Sequence, residues 1–314
     1  MTQHPLDTKN IHNDYSRRRF LGAALAGAGA LAVRPEWLSP GVSAAAMGRR
    51  TATDIVTLGK TGIKVSRLAQ GTGYNGTGRS SAHTRLGEKE FDKLIHHSLD
   101  RGITFLDMAD LYGSHPYVRH ALNGRSRDKI TFLSKIWPET QYWNAFSGGA
   151  KPEIDRFRRE LDTDVIDICL MHCMRNGRWP EEHKRVCDEL DELKAKGAVR
   201  AVGVSCHDLG ALKVAATHPW TDVILARINN TGREAAMDAS VEEVVPVLKQ
   251  ARANGKVIIG MKIFGAGALT RPEQKDASLR FVFENELVDA ITVGMLSTEQ
   301  VDDTIARMNK ALNA

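Results

Sequence analysis

Apolar strand-like runs alternate with amphipathic helical patterns eight times between Ile55 and Leu312. That alternation predicts an α/β protein, a (β/α)8 TIM barrel preceded by an N-terminal β-hairpin. Two further observations favour it. Most of the runs are continuously apolar, as parallel strands covered on both faces must be. The first ends in Gly71-Thr72-Gly73-Tyr74-Asn75-Gly76, which lacks the Gly-x-Gly-x-x-Gly spacing and the directly following helix of a doubly wound sheet. Eight units over about 250 residues match the size of such a barrel. No low-complexity linker interrupts them, so residues 47–314 are read as one domain.

The chain opens on a different kind of segment. Residues 1–15 are polar. Ser16-Arg17-Arg18-Arg19-Phe20-Leu21 follows and leads into an Ala/Gly-rich apolar run to Val33. This order resembles a twin-arginine export signal. The run from Phe20 to Val33 has 14 residues, short for a membrane span and only mildly hydrophobic. Ala44-Ala45-Ala46 offers a small-residue cleavage site, which puts the mature start near Met47. The expectation is therefore a signal peptide over 1–46, export in folded form by the twin-arginine translocase to a bacterial periplasm, and no membrane span after cleavage. An uncleaved anchor or an amphipathic helix is the competing reading of the same run, and a misread signal would leave the protein in the cytoplasm.

The globular part begins at Ile55. From Leu58 to Ser66, Gly and Lys lie between two short apolar pieces, which reads as a hairpin. Val65 to Gly73 is the first strand of the alternation. Its helix, Glu88 to Asp100, has Phe91, Leu94, Ile95 and Leu99 at helical spacing. The second unit is Ile103 to Asp107 with Pro116 to Leu122; the third is Ile130 to Trp137 with Pro152 to Leu161. Val165 to His172 is the fourth strand, and the charged helix after it, Pro180 to Lys196, turns Val186, Leu190 and Leu193 inward. Arg200 to Ser205 and Leu209 to Ala216 form the fifth unit, and Val223 to Ile228 with Val241 to Ala253 the sixth. Val257 to Ile263 with Arg271 to Glu284, and Val288 to Val293 with Thr298 to Leu312, complete the eight.

Composition excludes several function classes. The chain is 42% hydrophobic and 26% charged, ordinary for a soluble globular protein. Its net charge of +5 is inflated by residues 1–46, and the remainder stands near +3. That is too mild to argue for nucleic acid. The cysteines, at 169, 173, 187 and 206, form no Cys-x-x-Cys pair, which argues against a zinc or iron–sulfur centre. Cys169 and Cys173 share a strand face but stand too far apart along it for a mutual disulfide. No metal site is expected.

In a barrel of this kind, functional side chains gather where strands end. Here the second strand ends in Asp107, with Tyr112 in its loop beside Gly113. The third carries Lys135 near its end and the fourth ends in His172. Taken singly, each has a plain explanation: a capping Asp, a packed Tyr, a snorkelling Lys, a satisfied core His. On consecutive strands they converge on one rim. A buried lysine needs a carboxylate to keep its charge, and Asp107 can supply it. An ammonium near Tyr112 favours the phenolate, so the expectation is a tyrosine pKa lowered from its usual ~10. His172 can orient a carbonyl oxygen. The set suits proton donation to an oxygen that becomes negative, and hydride delivery to a carbonyl is the partner reaction.

With those residues in place, the chain resembles the aldo/keto reductase superfamily over about 55–312. The likeness rests on Leu58-Gly-Lys-Thr-Gly62, Gly71-Thr72, Asp107-x-Ala-x-x-Tyr112-Gly113, Ser134-Lys135, His172, Gly203-Val-Ser205, Gly265-Ala-Gly267 and Gly294. It implies a catalytic tetrad of Asp107, Tyr112, Lys135 and His172, with Tyr112 the general acid. It also implies reduction of an aldehyde or ketone by a nicotinamide cofactor, NADP(H) ahead of NAD(H). Carried over by matching residue, Gly71, Thr72 and Asp107 line the nicotinamide site and Ser205 holds its carboxamide. The stacking position falls at Met261. Gly265 and Gly267 follow it, and Gly294, Ser297 and Gln300 mark the adenosine-side loop and helix start, where a phosphate is received.

The chain departs from the pattern in places. Cys206 stands where the family has Asn, and the family's strand-six Gln falls at about Ala226, with Arg227 beside it. The adenine-contacting pair is Asp303-Thr304, and no clear arginine occupies the 2′-phosphate segment. The loop Cys173 to Trp179 is short, which implies an open site that Trp137, Tyr142, Trp143 and Trp179 could wall. A nicotinamide-binding regulatory protein on the same scaffold is the second functional reading, and a barrel of another reaction class, such as an isomerase, the third.

Overall fold

The computed structural model describes residues 49–138 and 149–314. The export-signal segment with its cleavage site, and Tyr142 and Trp143, lie outside the described residues. Strands β1 (Ile55–Leu58) and β2 (Ile63–Ser66) pair antiparallel, with Leu58 opposite Ile63. Between them Gly59–Thr61 makes one 3-10 turn, closed by Gly62. Eight parallel strands follow: β3 (Leu68–Gly71), β4 (Phe105–Asp107), β5 (Thr131–Ile136), β6 (Ile166–Met174), β7 (Val199–Cys206), β8 (Val223–Arg227), β9 (Val257–Met261) and β10 (Ala290–Val293). Each pairs with the next, and β10 pairs back onto β3 to close the barrel. Around it stand α1 (Glu88–Asp100), α2 (His115–Ala121), α3 (Ala150–Leu161), α4 (Trp179–Glu182), α5 (Lys184–Ala195), α6 (Leu209–Thr217), α7 (Val241–Ala253), α8 (Pro272–Glu284) and α9 (Thr298–Leu312). The expected (β/α)8 TIM barrel behind a hairpin is the architecture the chain adopts.

Side-chain alternation along each strand creates two cores. One parity faces the helices: Leu106, Phe132, Cys169, Val202 and Ile258 pack there against helix residues such as Phe91, Ile154 and Leu248. The other faces the barrel axis: Ala69, Phe105, Leu133, Ile168, Leu170, Val223, Leu225 and Ile259. The hairpin contributes Leu58, Ile63 and Val65 to this inner cluster. It sits at the strands' N-terminal ends, where Thr131 Oγ1 donates to Lys64 O at 2.7 Å. One mouth of the barrel is thus stoppered with apolar side chains, and the opposite mouth is left for chemistry.

Three elements differ from the sequence expectation. The expected first strand divides at Arg67, because Val65 and Ser66 belong to the hairpin. The expected helix Pro180 to Lys196 breaks at His183, whose φ of −115° is not helical. The cause is Trp179, fully buried against His218 and Trp220, which pins the short α4 separately from α5. Strand β6 runs past His172 to Met174 through Cys173, at φ 63°, with a register shift against β7. The four cysteines are free. Among the described residues no helix is long and apolar enough to cross a membrane, and no cluster of three His/Cys/Asp/Glu could hold a metal.

Candidate active site

The inward parity explains what reaches the open mouth. On β4 the axial residues are Phe105 and then Asp107; on β5, Leu133 and then Lys135; on β6, Ile168, Leu170 and then His172. Each strand begins apolar inside the barrel and ends polar at its C-terminal edge. The same count puts Ser205 at the end of β7, Arg227 at the end of β8, Met261 at the end of β9 and Thr292 on β10 at this rim. Cys206 and Ala226 have the opposite parity and pack in the outer core.

Asp107 and Lys135 form a buried ion pair, with side chains 9% and 1% exposed. Such a pair persists only if its remaining valences are met. Here they are. Lys135 Nζ also donates to Met108 O at 2.8 Å, and the second Asp107 oxygen accepts from Thr292 Oγ1 at 2.8 Å. Tyr112 then lies with its ring centre 4.8 Å from the Lys135 ammonium and its hydroxyl 3.4 Å from His172 Nε2. All four sequence-predicted catalytic residues therefore stand together.

Charge states follow from burial. Burial raises the Tyr112 pKa well above 10, and the nearby Asp107 carboxylate adds to that. This reverses the sequence expectation of a lowered tyrosine: Asp107 largely neutralises the ammonium, and desolvation of the phenolate decides the sign. Burial first, then Lys135 and His207, drives His172 well below 6.5, so its imidazole is neutral. Its Nδ1 is buried without a hydrogen-bond partner among the described residues.

The Tyr112 loop is held from behind. Gly113 takes φ 64°, and a Cβ there would fall 2.0 Å from Arg79 O. Asp110 is bound by Arg156 at 2.9 Å; Arg156 and Arg79 both reach Glu160 at 2.8 Å. Glu160 also meets His115 Nδ1 at 3.0 Å, and His115 Nε2 meets Ser134 Oγ at 2.8 Å, next to Lys135. Burial opposes the charge on Glu160, but hydrogen bonds from His115, Arg79 and Arg156 outweigh it and hold the carboxyl well below its usual range. Thr72 accompanies them: its N–H and hydroxyl both donate to Asp107 O at 2.9 Å, and its oxygen lies 2.8 Å from Ser114 Oγ.

A groove of about 350 Å³ leads from Asp107 and Tyr112 past the ends of β9 and β10 to the first turn of α9. Of the residues carried over for a cofactor, Gly71, Asp107, Met261, Gly267, Gly294 and Gln300 line it. Thr72 and Ser205 are fully buried beside it, and the Ser205 hydroxyl accepts from Cys173 N at 2.8 Å. Gly265 is buried in the turn behind Ala266, and Ser297 caps α9, accepting from Gln300 N at 3.3 Å. Tyr74, Lys262, Phe264 and Lys275 line the groove without having been singled out from the sequence. Strand β8 turns Leu225 to the groove, whereas Ala226 packs in the outer core. Trp137 packs on His172, at 5.3 Å between rings, whereas Trp179 is a buried loop anchor away from the site.

Comparison with known proteins agrees with this fold. The model of the aldo/keto reductase family matches residues 67–279. Methylglyoxal reductase YeaE of Escherichia coli (strain K12) is 28% identical over 146 residues, 46% of this chain and 46% of that protein. The chain thus spans about half the length of the first curated relatives it matches. L-galactose dehydrogenase of Arabidopsis thaliana aligns more broadly, at 22% identity over 83% of this chain and 89% of its own. A solved structure from Pseudomonas aeruginosa assigned to the aldo-keto reductases superimposes with a TM-score of 0.68 at 26% identity, covering 84% of this chain and 98% of the other. One from Klebsiella pneumoniae, in complex with NADPH, shares the fold with a TM-score of 0.60 at 20% identity, covering 83% and 90%.

Proposed function

The chain belongs to the aldo/keto reductase family, and from that premise we propose that it is a nicotinamide-dependent oxidoreductase that reduces an aldehyde or ketone to the alcohol. The observation that carries this reading is the Tyr112 hydroxyl, 3.4 Å from His172 Nε2, beside the Lys135 ammonium and at the head of the groove. The groove suits an extended phosphate-bearing cofactor. Gly267 and Gly294 leave its walls without side chains, Lys262 and Lys275 bring positive charge, and the start of α9 closes its far end.

The bound, reduced cofactor supplies a hydride. The chain's residues manage the oxygen. Neutral His172, in the tautomer protonated at Nε2, and the phenol of Tyr112 both donate towards one point, where the substrate's carbonyl oxygen is held. As that oxygen gains negative charge, Tyr112 transfers its proton to it. A phenol with a raised pKa is a reluctant acid, so the transfer follows charge development rather than preceding it. The Lys135 ammonium, fixed by Asp107, then stabilises the phenolate left behind. We propose NADP(H) ahead of NAD(H), on the two groove lysines.

Nicotinamide absorbance tests the reading directly. Purified protein is mixed with NADPH or NADH and a panel of aldehydes and quinones. Turnover is expected, and Tyr112→Phe should abolish it while leaving cofactor binding intact. Near-normal turnover in Tyr112→Phe removes Tyr112 as the proton donor. Tight cofactor binding without turnover on any carbonyl favours the regulatory reading instead.

We also infer export by the twin-arginine translocase, supported by Ser16-Arg17-Arg18-Arg19-Phe20-Leu21 and the small residues Ala44–Ala46. An exported reductase has to carry its cofactor with it and have it recycled by a second substrate. Replacing Arg17 and Arg18 by Lys together should stop export; unchanged export sinks the idea.

A further inference from the structure

The groove's lining takes in Tyr112 and Leu225 but not Trp137, His172, Arg175, His207 or Arg227. The neighbouring sector of the rim, from the end of β5 to the end of β8, has a different chemistry. The His172 ring is its centre, 5.3 Å from Trp137 and 6.4 Å from His207. A guanidinium stands beyond each neighbour. Arg175 Cζ lies 5.8 Å from the Trp137 ring, and Arg227 hydrogen-bonds His207 Nδ1. Two arginines thus flank the residue that meets the Tyr112 hydroxyl, each separated from it by one ring.

This positive charge is only partly balanced. Arg175 has no carboxylate partner among the described residues. Arg227 lies 3.4 Å from Asp238 Oδ1, and burial pushes the Asp238 carboxyl up to about 6, so the carboxylate meets the guanidinium's charge at neutral pH and releases it only as pH falls below about 6. Neither histidine adds an anion's counterpart: burial and the surrounding cations keep His172 neutral and push His207 down to about 3. A neutral carbonyl substrate has no use for this arrangement. A substrate with an anionic arm does, because guanidinium forks bind carboxylates through paired N–H donors.

We propose that this sector is an anion-recognition subsite, and that the substrate is an aldehyde or ketone bearing a carboxylate, gripped by Arg175 and Arg227 while its carbonyl oxygen meets Tyr112 and His172. The proposal rests on the reductase reading above, so its test separates binding from turnover. Two matched aldehydes, 4-formylbenzoate and 4-formylbenzamide, differ in charge but hardly in shape. Wild type should favour the carboxylate by about tenfold or more in kcat/KM, equivalent to about 1.4 kcal/mol. The preference should lie in KM and shrink with added salt. Arg175→Met changes an exposed residue, so the fold should survive, and the ratio should fall towards one. In parallel, calorimetry on the purified protein should show benzoate binding, benzamide not binding, and benzoate affinity falling about tenfold in Arg175→Met.

Reduction of both aldehydes with no charge preference, or a preference untouched by Arg175→Met, overturns the subsite and leaves the reductase reading standing. Arg175-dependent benzoate binding without turnover of either aldehyde keeps the subsite and removes the reductase reading. Absence of both turnover and benzoate binding removes both.

Discussion

Lys135 carries a full charge into a place that is 1% exposed, and it stays there because Asp107, Met108 O and Thr292 complete the arrangement. Removing one partner of such a pair leaves the other charge buried alone. Lys135→Met should therefore lower unfolding stability by about 3–5 kcal/mol in urea titrations. The double change Asp107→Asn with Lys135→Met should recover much of that stability and none of the turnover. Equal instability of the double variant would mean that the pair acts through packing rather than charge. The same residues set a pH profile. Tyr112 keeps its proton until well above 10 and His172 stays neutral until well below 6.5. The rate constant kcat should thus be flat from about pH 6 to about pH 9, because neither proton-handling group titrates there. A break near the ordinary histidine value would contradict a neutral, buried His172. These four residues were legible in the sequence, since each lies at or near the end of a predicted strand or in the loop that follows it. The direction of the tyrosine shift was not, because desolvation depends on packing that no spacing reveals.

The loop between β4 and α2 owes its shape to contacts from three other elements. Tyr112 fits because Gly73, after β3, has no side chain: a Cβ there would lie 2.2 Å from the Tyr112 ring. Gly73→Ala needs no unusual backbone angle, so it should leave the fold near wild type by circular dichroism. It should displace the ring and cut kcat by at least about tenfold, the scale on which small misplacements act. Full activity in that variant would show that the ring has room the contact denies. Behind the loop, Glu160 joins Asp110's arginines to His115 and Ser134. Its pKa is depressed from 4.5 in the fold, so its contribution is present above that value and is lost as pH falls below it. Glu160→Gln should flatten the drop in stability between pH 5 and pH 3, read as melting temperature against pH. An unchanged slope would place the acid sensitivity elsewhere. None of this network was legible beforehand. Asp110, Arg156 and Glu160 look like ordinary surface charges in sequence, and only closure of the barrel brings α3 against the loop. The broken fourth helix was hidden for the same reason, since burial of Trp179 overrides a continuous helical pattern.

At the scale of the whole molecule, the period of the chain was the readable part: eight apolar runs at regular spacing leave a closed parallel barrel as the arrangement that covers them. The parity of each run was harder, and it decides function, because a strand counted one residue out of step exchanges the rim for the outer core. Ala226 and Leu225, neighbours on β8, fall on opposite sides of that division. Parity also divides the molecule by role. The axial side chains that start the strands join Leu58, Ile63 and Val65 of the hairpin in a dry plug, while the axial side chains that end them do the chemistry. Stability and catalysis should then be separable by mutation. Ile63 is fully buried in the plug, so Ile63→Ala should cost about 2–5 kcal/mol of unfolding free energy, the usual range for emptying a core site. Its kcat/KM should stay within about twofold of wild type at temperatures where the protein remains folded, because the cavity opens at the mouth opposite Tyr112. Activity that falls in step with stability in folded Ile63→Ala would show that the plug sets the geometry of the rim, and that the barrel's two ends are one mechanical unit.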